Sequence, residues 1–337
     1  MSIERSEARS ELTDSLHSQA GQDPIDSFVF SIPLRTRFRG IHVREGMLLR
    51  GPAGWGEFSP FLEYPPYVAA RWLAAAREAA DVGWPAPVRD QVPVNVTVPA
   101  VGPEHAARIV AHSGGCRTAK VKVAEVGQNL GEDLARVEAV REAVGRDGRV
   151  RVDANGRWSV DQAAGAIKAL DRFDLEYVEQ PCATLEEMAE LRRRVDVPLA
   201  ADESVRTAED PLRIAGLAAA DIVVLKAQPL GGVRRALRVA EACGLPVVVS
   251  SALETSIGIA AGLALAAALP ELPYACGLAT VALLRADVVT EPLLAVGGAL
   301  PVRRPEVDPA TLAQVAAAPE RAEWWHKRLT SAGFTRP

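Results

Sequence analysis

Six short apolar segments, met one after another along the chain, each end in a side chain that can do chemistry. They span 119–122, 150–153, 177–179, 199–203, 223–226 and 248–251, and they end in Lys122, Asp153, Glu179, Asp202 with Glu203, Lys226, and Ser250 with Ser251. From Lys122 to Asp153 is 31 residues, and the next steps, to Glu179, Asp202 and Lys226, are 26, 23 and 24. Each step holds one strand, one helix and two connecting loops. Reactive groups at the C-terminal ends of successive parallel strands are what the mouth of a (β/α) barrel requires. The order is lysine, three acids, lysine.

The rest of the chain can be arranged around that rhythm. Residues 92–98 read as the first barrel strand and 273–276 as the eighth. Helical stretches at 129–144, 207–219, 232–243 and 255–269 fill crossovers, and Ser159 with Gln162 and Thr184 with Glu187 have the spacing of capping boxes at two more. Before the barrel, 28–57 is strand-like, with turns expected at Glu45-Gly46 and Gly51-Pro52, and 67–82 has helical periodicity before a Gly/Pro break at 83–87. The expected organisation is a flexible tail at 1–23, an α+β cap at 24–91 completed by about 291–337, and a barrel at 92–290.

Composition narrows the classes. With 337 residues and 48% hydrophobic content the chain can bury a large core. A net charge of −5 lacks the basic footprint of a nucleic-acid binder. The richest apolar run, 257–269, is too short to span a bilayer, and the polar start has no signal-peptide core, so no membrane partner and a cytoplasmic location are expected. Cys116, Cys182, Cys243 and Cys276 form no CxxC pair and read as buried free thiols. The five histidines show no zinc spacing, so any metal here needs oxygen ligands.

Period-two alternation puts Lys120 and Lys122 on one face of their strand, with Val121 and Val123 on the helix-facing side. Two lysines pointing into a barrel are costly unless carboxylates face them, and Asp153, Glu179 and Asp202 come from the next three strands. Three carboxylates crowded together raise one another's pKa, which a divalent cation relieves; a set of Asp and Glu oxygens selects Mg²⁺, with Mn²⁺ as substitute. Lys226, from the sixth strand, lies across the barrel from the second. A metal platform with an ammonium on either side suits proton abstraction next to a carboxylate, so a small-molecule carboxylate is the expected partner. A lone acid or lysine at a strand end is ordinarily a structural ion pair; five at barrel spacing are not. Arg151 shares the face of Asp153 but lies deeper and reads as a structural partner of the acids. Glu203, next to Asp202, should point differently from it, as a residue that supports the site residues or as a surface residue, and Asn155 sits where it can hydrogen-bond a site residue. Trp55, Phe58, Phe61 and Tyr64 read as one aromatic loop near the mouth, either a lid or simple packing.

At these residues the chain resembles the enolase superfamily, in its muconate-lactonising subgroup. The resemblance rests on Lys120-Val-Lys122, Asp153-Ala-Asn155, Glu179-Gln180-Pro181, Asp202-Glu203-Ser204 and Lys226. It implies a modified (β/α)7β TIM-type barrel with a smaller α+β capping domain built from both termini. It also implies Mg²⁺ ligation by Asp153, Glu179 and Asp202, with Lys122 as acid/base and Lys226 as its opposite-face partner. Three segments, 54–60, 250–258 and 277–284, look most like a dehydratase branch of that subgroup that serves menaquinone biosynthesis. Its reaction removes water from 2-succinyl-6-hydroxy-2,4-cyclohexadiene-1-carboxylate to form an aromatic ring. Lys120, Asn155, Ser250, Ser251 and Gly277 are then expected to line the substrate pocket or to hold the reacting groups in place. The stretch between Tyr64 and Val92 is shorter than the usual cap. The nearest competing reading is a racemase or epimerase of N-acylamino acids such as N-succinylamino acids. A Schiff-base aldolase using Lys226 and a non-catalytic carboxylate-binding barrel are more distant.

Overall fold

The computed structural model describes residues 27–207 and 212–334; the expected tail at 1–23 lies outside them. Three antiparallel strands open the chain: β1 (Ser27–Phe38), β2 (Ile41–Gly51) and β3 (Gly54–Phe58), in the order β1-β2-β3. The β1–β2 hairpin turns at Arg39-Gly40, not at Glu45-Gly46 as expected from sequence. Glu45 and Gly46 continue β2, paired with Ser31 and Phe30. Gly46 is a packing glycine: a Cβ there would come within 2.5 Å of the Ser59 Cβ and 2.7 Å of the Phe30 ring. Helix α1 (Pro66–Arg77) starts with proline at its first turn and lays Trp72, Leu73 and Ala76 against this sheet.

The expected first barrel strand, 92–98, is split in two. Strand β4 (Gln91–Pro93) pairs antiparallel with Ala299–Pro301, and only β5 (Val96–Val98) enters the barrel. From there the alternation is regular: α2 (Pro103–Ala111), β6 (Thr118–Lys122), α3 (Leu130–Val144), β7 (Arg149–Asp153), α4 (Val160–Leu170), β8 (Leu175–Glu179), α5 (Leu185–Arg192) and β9 (Leu199–Ala201). Two short helices, α6 (Glu203–Thr207) and α7 (Leu212–Gly216), precede β10 (Ile222–Leu225). Helices α8 (Ala227–Leu230) and α9 (Val233–Cys243) lead to β11 (Val247–Val249) and α10 (Ser256–Ala268). Strands β5 to β11 form one parallel sheet in sequential order. Cys276 and Gly277 close it, bridging Val94 on one edge and Ser250 on the other. The result is the (β/α)7β barrel with an α+β unit beside it.

The valines and alanines between the lumen-facing polar residues, among them Val121, Val152, Val178 and Ala201, pack outward onto the helices in one continuous core. Full capping boxes start α4 and α5, as their sequences indicated, and a third, Asn129 with Glu132, starts α3. Helix α10 is apolar on every side and buried on every side, because β3 covers the flank the barrel leaves open. Among the described residues no helix is long and apolar enough to cross a membrane. All four cysteines are buried, and none is in a disulfide.

The chain after the barrel does two things. Strand β12 (Ala299–Pro301) pairs with β4, and helices α11 (Pro309–Val315) and α12 (Pro319–Ser331) return to the N-terminal sheet. Trp325 and Leu329 of α12 join Phe58, Trp72 and Met47 in a second core.

Candidate active site

Lys122 ends β6, Asp153 ends β7 and Glu179 ends β8, in register across neighbouring strands. Asp202 follows β9, and Lys226 follows β10 as the residue before α8. The three acids are about 1% exposed. The sheet therefore brings every expected ligand and both expected lysines to one mouth.

The buried charges are matched one against another. Lys120 Nζ donates to Asp153 Oδ2 at 3.1 Å and to Glu179 Oε1 at 2.8 Å. Lys122 Nζ reaches Asp153 Oδ2 at 2.5 Å and Asn155 Oδ1 at 2.7 Å. Lys226 Nζ lies 2.5 Å from Asp202 Oδ2. A further cation, not singled out from the sequence, grips the same acid: Arg206 donates Nε to Asp202 Oδ1 at 3.2 Å and Nη2 to Oδ2 at 3.0 Å. Its signal was the Asp202-x-x-x-Arg206 spacing, which a helical turn converts into contact.

These contacts set the protonation preferences. Burial works against the Asp153 charge, but Lys122 and Lys120 overrule it and hold the carboxyl far below the usual range. Arg206 and Lys226 do the same for Asp202. Burial also opposes the Lys120 ammonium, yet Glu179 and Asp153 keep its pKa above the ordinary lysine value, so it stays charged. Lys122 is moved the other way: burial, aided by Lys120, lowers its pKa despite Asp153. Glu179 is pushed up to about 7 by burial and by Asp153.

One predicted role needs correction. Arg151 does not pair with the three acids. It lies one strand repeat deeper, where its Nε meets Glu176 Oε2 at 2.5 Å, Nη1 meets Asn95 Oδ1 and the Ala275 carbonyl, and its guanidinium stacks on Tyr177. Lys120 takes the place expected for it. Glu203 lies behind the acids, in the supporting position that was one of its two expected places: its Oε1 accepts from Arg206 Nη2 at 2.7 Å and from Asn155 Nδ2 at 3.2 Å.

The pocket above this layer is lined by Lys120, Lys122, Asn155, Lys226, Ser250, Ser251 and Gly277, so the residues expected around the substrate share one cavity. Ser251 Oγ is tied to the Gly277 carbonyl at 2.9 Å and lies 2.8 Å from Thr280 Oγ1. Gly277 is glycine because a Cβ would lie 2.5 Å from Ser250 Oγ where the barrel closes. The four aromatics do not form one lid. Trp55 and Phe58 sit in β3, and Phe58 is fully buried against Trp325. Phe61 lines the pocket, and the Tyr64 hydroxyl accepts from Arg39 and Arg206. The adjoining outer cavity, about 510 Å³, is bounded by the β1–β2 turn, Lys122, Asn155 and Glu203.

Among the described residues no three carboxylate, imidazole or thiol groups are drawn together tightly enough to hold an ion as they stand. The reason is visible in the contacts: ammonium and guanidinium groups occupy the oxygens of Asp153 and Asp202. The donor set nevertheless fits a hard dication. It is all oxygen, and Glu179 Oε2 is fully buried without a hydrogen-bond partner.

A family model described as Enolase C-terminal domain-like matches residues 103–306, and one described as Enolase N-terminal domain-like matches 29–80. The chain belongs to the enolase superfamily. It is 70% identical over 303 residues to the o-succinylbenzoate synthase of Thermobifida fusca (strain YX), covering 90% of this chain and 94% of that protein. It is 57% identical over 302 residues to the o-succinylbenzoate synthase of Mycolicibacterium smegmatis, covering 89% and 93%. In fold it is similar to the muconate lactonizing enzyme of Pseudomonas fluorescens, with a TM-score of 0.75 at 23% identity over 88% of this chain and 99% of that one. It is also similar to the N-succinyl Arg/Lys racemase of Bacillus cereus, with a TM-score of 0.73 at 22% identity over 87% and 97%.

Proposed function

We propose that the chain is an o-succinylbenzoate synthase of menaquinone biosynthesis. It would catalyse the Mg²⁺-dependent syn dehydration of 2-succinyl-6-hydroxy-2,4-cyclohexadiene-1-carboxylate to 2-succinylbenzoate. The observation that carries the chemistry is the placement of Lys122 and Lys226 on opposite sides of one acid cluster, at the ends of β6 and β10. The 70% and 57% identical relatives support the choice of reaction within the superfamily. Charge supports the ligand class. Among the described residues Lys120, Lys122, Lys226 and Arg206 face Asp153, Glu179, Asp202 and Glu203, so the cluster is neutral when all eight groups are ionised, the state before Lys122 gives up its proton to act as base. A dication and a dicarboxylate substrate entering together keep it so.

Asp153, Glu179 and Asp202 would hold Mg²⁺, which supplies electrophilic stabilisation to the substrate's ring carboxylate. Lys122, as the neutral amine, takes the proton from the ring carbon bearing that carboxylate. The electron pair moves into the ring, and the C–O bond to the neighbouring hydroxyl breaks. The same Lys122, now an ammonium on the same face, returns its proton to the departing hydroxide, giving water and the aromatic ring. Lys226, on the far face, stays charged and stabilises the negative charge that develops on the carboxylate oxygens. Lys120 remains an ammonium that holds Asp153 and Glu179 in position.

Lys226 also stands where a second proton-transfer group of a racemase would stand, so the test runs both reactions on one preparation. Loss of the cyclohexadiene absorbance is followed with Mg²⁺ and with EDTA, beside polarimetry on N-succinylamino acids. The expected result is magnesium-dependent dehydration that EDTA abolishes. Negligible dehydration beside rapid racemisation would replace this assignment with the racemase.

A further inference from the structure

Asn155 stands between a nitrogen that donates to it and a carboxylate that accepts from it. Lys122 Nζ donates to its Oδ1 at 2.7 Å, and its Nδ2 donates to Glu203 Oε1 at 3.2 Å. That pairing leaves one possible orientation for the amide. The backbone of Asn155 is left-handed, with φ 49°, a conformation asparagine tolerates better than most residues, and its N–H donates to Asp153 Oδ1 at 3.0 Å. Glu203 is fixed in turn by Arg206, whose Nη1 donates to the Tyr64 hydroxyl at 3.2 Å. Tyr64 belongs to the segment between β3 and α1. Its hydroxyl also accepts from Arg39 Nη2 at 2.8 Å, and Arg71 of α1 donates to the Arg206 carbonyl at 2.5 Å. A continuous chain of contacts therefore runs from the cap to Lys122 through Tyr64, Arg206, Glu203 and Asn155.

We propose that this chain positions Lys122 for proton transfer, with Glu203 and Arg206 as positioning residues through which the cap acts on the barrel site. The inference rests on the reading of Lys122 as the acid/base. Asp153 Oδ2 and Asn155 Oδ1 both lie within hydrogen-bond reach of Lys122 Nζ, so two acceptors on different residues fix where that nitrogen stands at the pocket floor. Asp153 alone would leave the amine free to rotate about one contact. Asn155 supplies the second contact only while Glu203 holds the amide in this orientation, and Glu203 is held by Arg206. A small misplacement of a reacting atom costs up to about 10²-fold in rate.

Three variants and one double variant test this by steady-state kinetics, magnesium calorimetry and melting temperature. Glu203→Ala should lower kcat by about 10-fold or more, with KM and Mg²⁺ affinity within about 3-fold of wild type. Glu203→Gln keeps an oxygen that can accept from Asn155 and should recover most of that loss. Tyr64→Phe removes one hydroxyl while keeping the ring beside Phe61 and Trp72, and should lower kcat by about 3-fold. The double variant Tyr64→Phe/Glu203→Ala should be no worse than Glu203→Ala alone, because both break one chain. Multiplying effects in the double variant would overturn the proposal. So would a Glu203→Gln as poor as Glu203→Ala, or a loss confined to KM or melting temperature. If the wild type fails to dehydrate the cyclohexadiene substrate, the reaction assignment falls. The same variants are then read on α-proton exchange of an N-succinylamino acid in D₂O, where the same ordering supports the relay and its absence overturns it.

Discussion

Lys122 and Lys226 reach the same cluster from opposite strands, yet they are held in different ways. Lys122 has two acceptors of unlike character, a carboxylate at 2.5 Å and a neutral amide oxygen at 2.7 Å, and burial lowers its pKa. Lys226 has a carboxylate at 2.5 Å, and that carboxylate is shared with Arg206. The first arrangement leaves an amine that can lose a proton and keep its place. The second holds its nitrogen against an acid that Arg206 also grips. Two lysines symmetric in the strand pattern are thus unequal in their surroundings, the inequality that the proposed one-base dehydration calls for and a two-base racemisation does not.

The surroundings continue the contrast. On the Lys122 side the contacts run through Asn155 and Glu203 to Arg206. On the Lys226 side the wall is the segment 250–253, which the cap holds, directly and through the residues that follow it, by buried side chains. Arg44 of β2 donates Nε to the Leu253 carbonyl at 2.8 Å and also binds Ser59. Glu57 of β3 accepts from Thr255 N at 3.1 Å, Thr255 Oγ1 at 2.6 Å and Gly258 N at 3.1 Å. Leu253 sits at φ 67°, costly for an apolar side chain and maintained by these contacts.

The largest break in the comparison should come from Lys122→Ala. Removing the group that both takes and returns the proton should cost about 10³-fold or more in kcat, measured by loss of diene absorbance, while the protein still binds Mg²⁺. Next come the acids. Asp153→Asn, Glu179→Gln or Asp202→Asn should each weaken Mg²⁺ binding, measured by calorimetry, and lower turnover by more than about 10²-fold. Unchanged magnesium-dependent turnover in all three would remove the metal from the account.

The smallest effect concerns the wall beside Lys226. Glu57 is pushed up to about 7 by burial and by the neighbouring Glu254. A carboxyl with a raised folded pKa binds its proton more tightly in the folded state. Stability therefore falls as pH rises from about 4.5 to about 7 and is level above that. Glu179 and Glu254 are raised too and act in the same direction, while Asp153 and Asp202 are lowered and act below pH 4 with the opposite sign. Glu57→Gln should reduce, without abolishing, the fall in melting temperature between pH 5 and 7.5, a change on the order of 1–3 kcal/mol. An unchanged pH slope would show that Glu57 does not titrate in that window.

How much of this was legible in the sequence follows from the distances over which each contact acts. Period-two alternation places Lys120, Lys122, Asp153 and Glu179 in one lumen, because the pleat fixes side-chain direction within a strand. The helix starting at Pro103 was missed, although Gly102-Pro103-Glu104 carries a usable start signal. The split of 92–98 between two sheets was missed because apolar alternation is the same in either; Val94 N–H instead bonds to the Gly298 carbonyl. Arg206 was within reach of a helical-spacing argument. The partner of Arg151 was not, since Asp153 shares its strand, Glu176 and Glu179 lie on the next one, and only depth along the barrel chooses between them. Least legible were contacts across some 200 residues, such as Glu57 with Thr255 and Arg44 with Leu253, because pattern reasoning has no term for them.

The inequality of the two lysines is tested most directly by Lys226→Arg, assayed for dehydration and for N-succinylamino acid racemisation on the same preparation. Arginine keeps the positive charge but does not give up a proton near neutral pH, its pKa lying above about 12. If Lys226 only needs to stay charged, the variant retains measurable magnesium-dependent dehydration, where Lys122→Ala has none, and it loses any racemisation the wild type shows. Dehydration abolished in Lys226→Arg as completely as in Lys122→Ala, in a variant that still folds and binds Mg²⁺, would contradict the account.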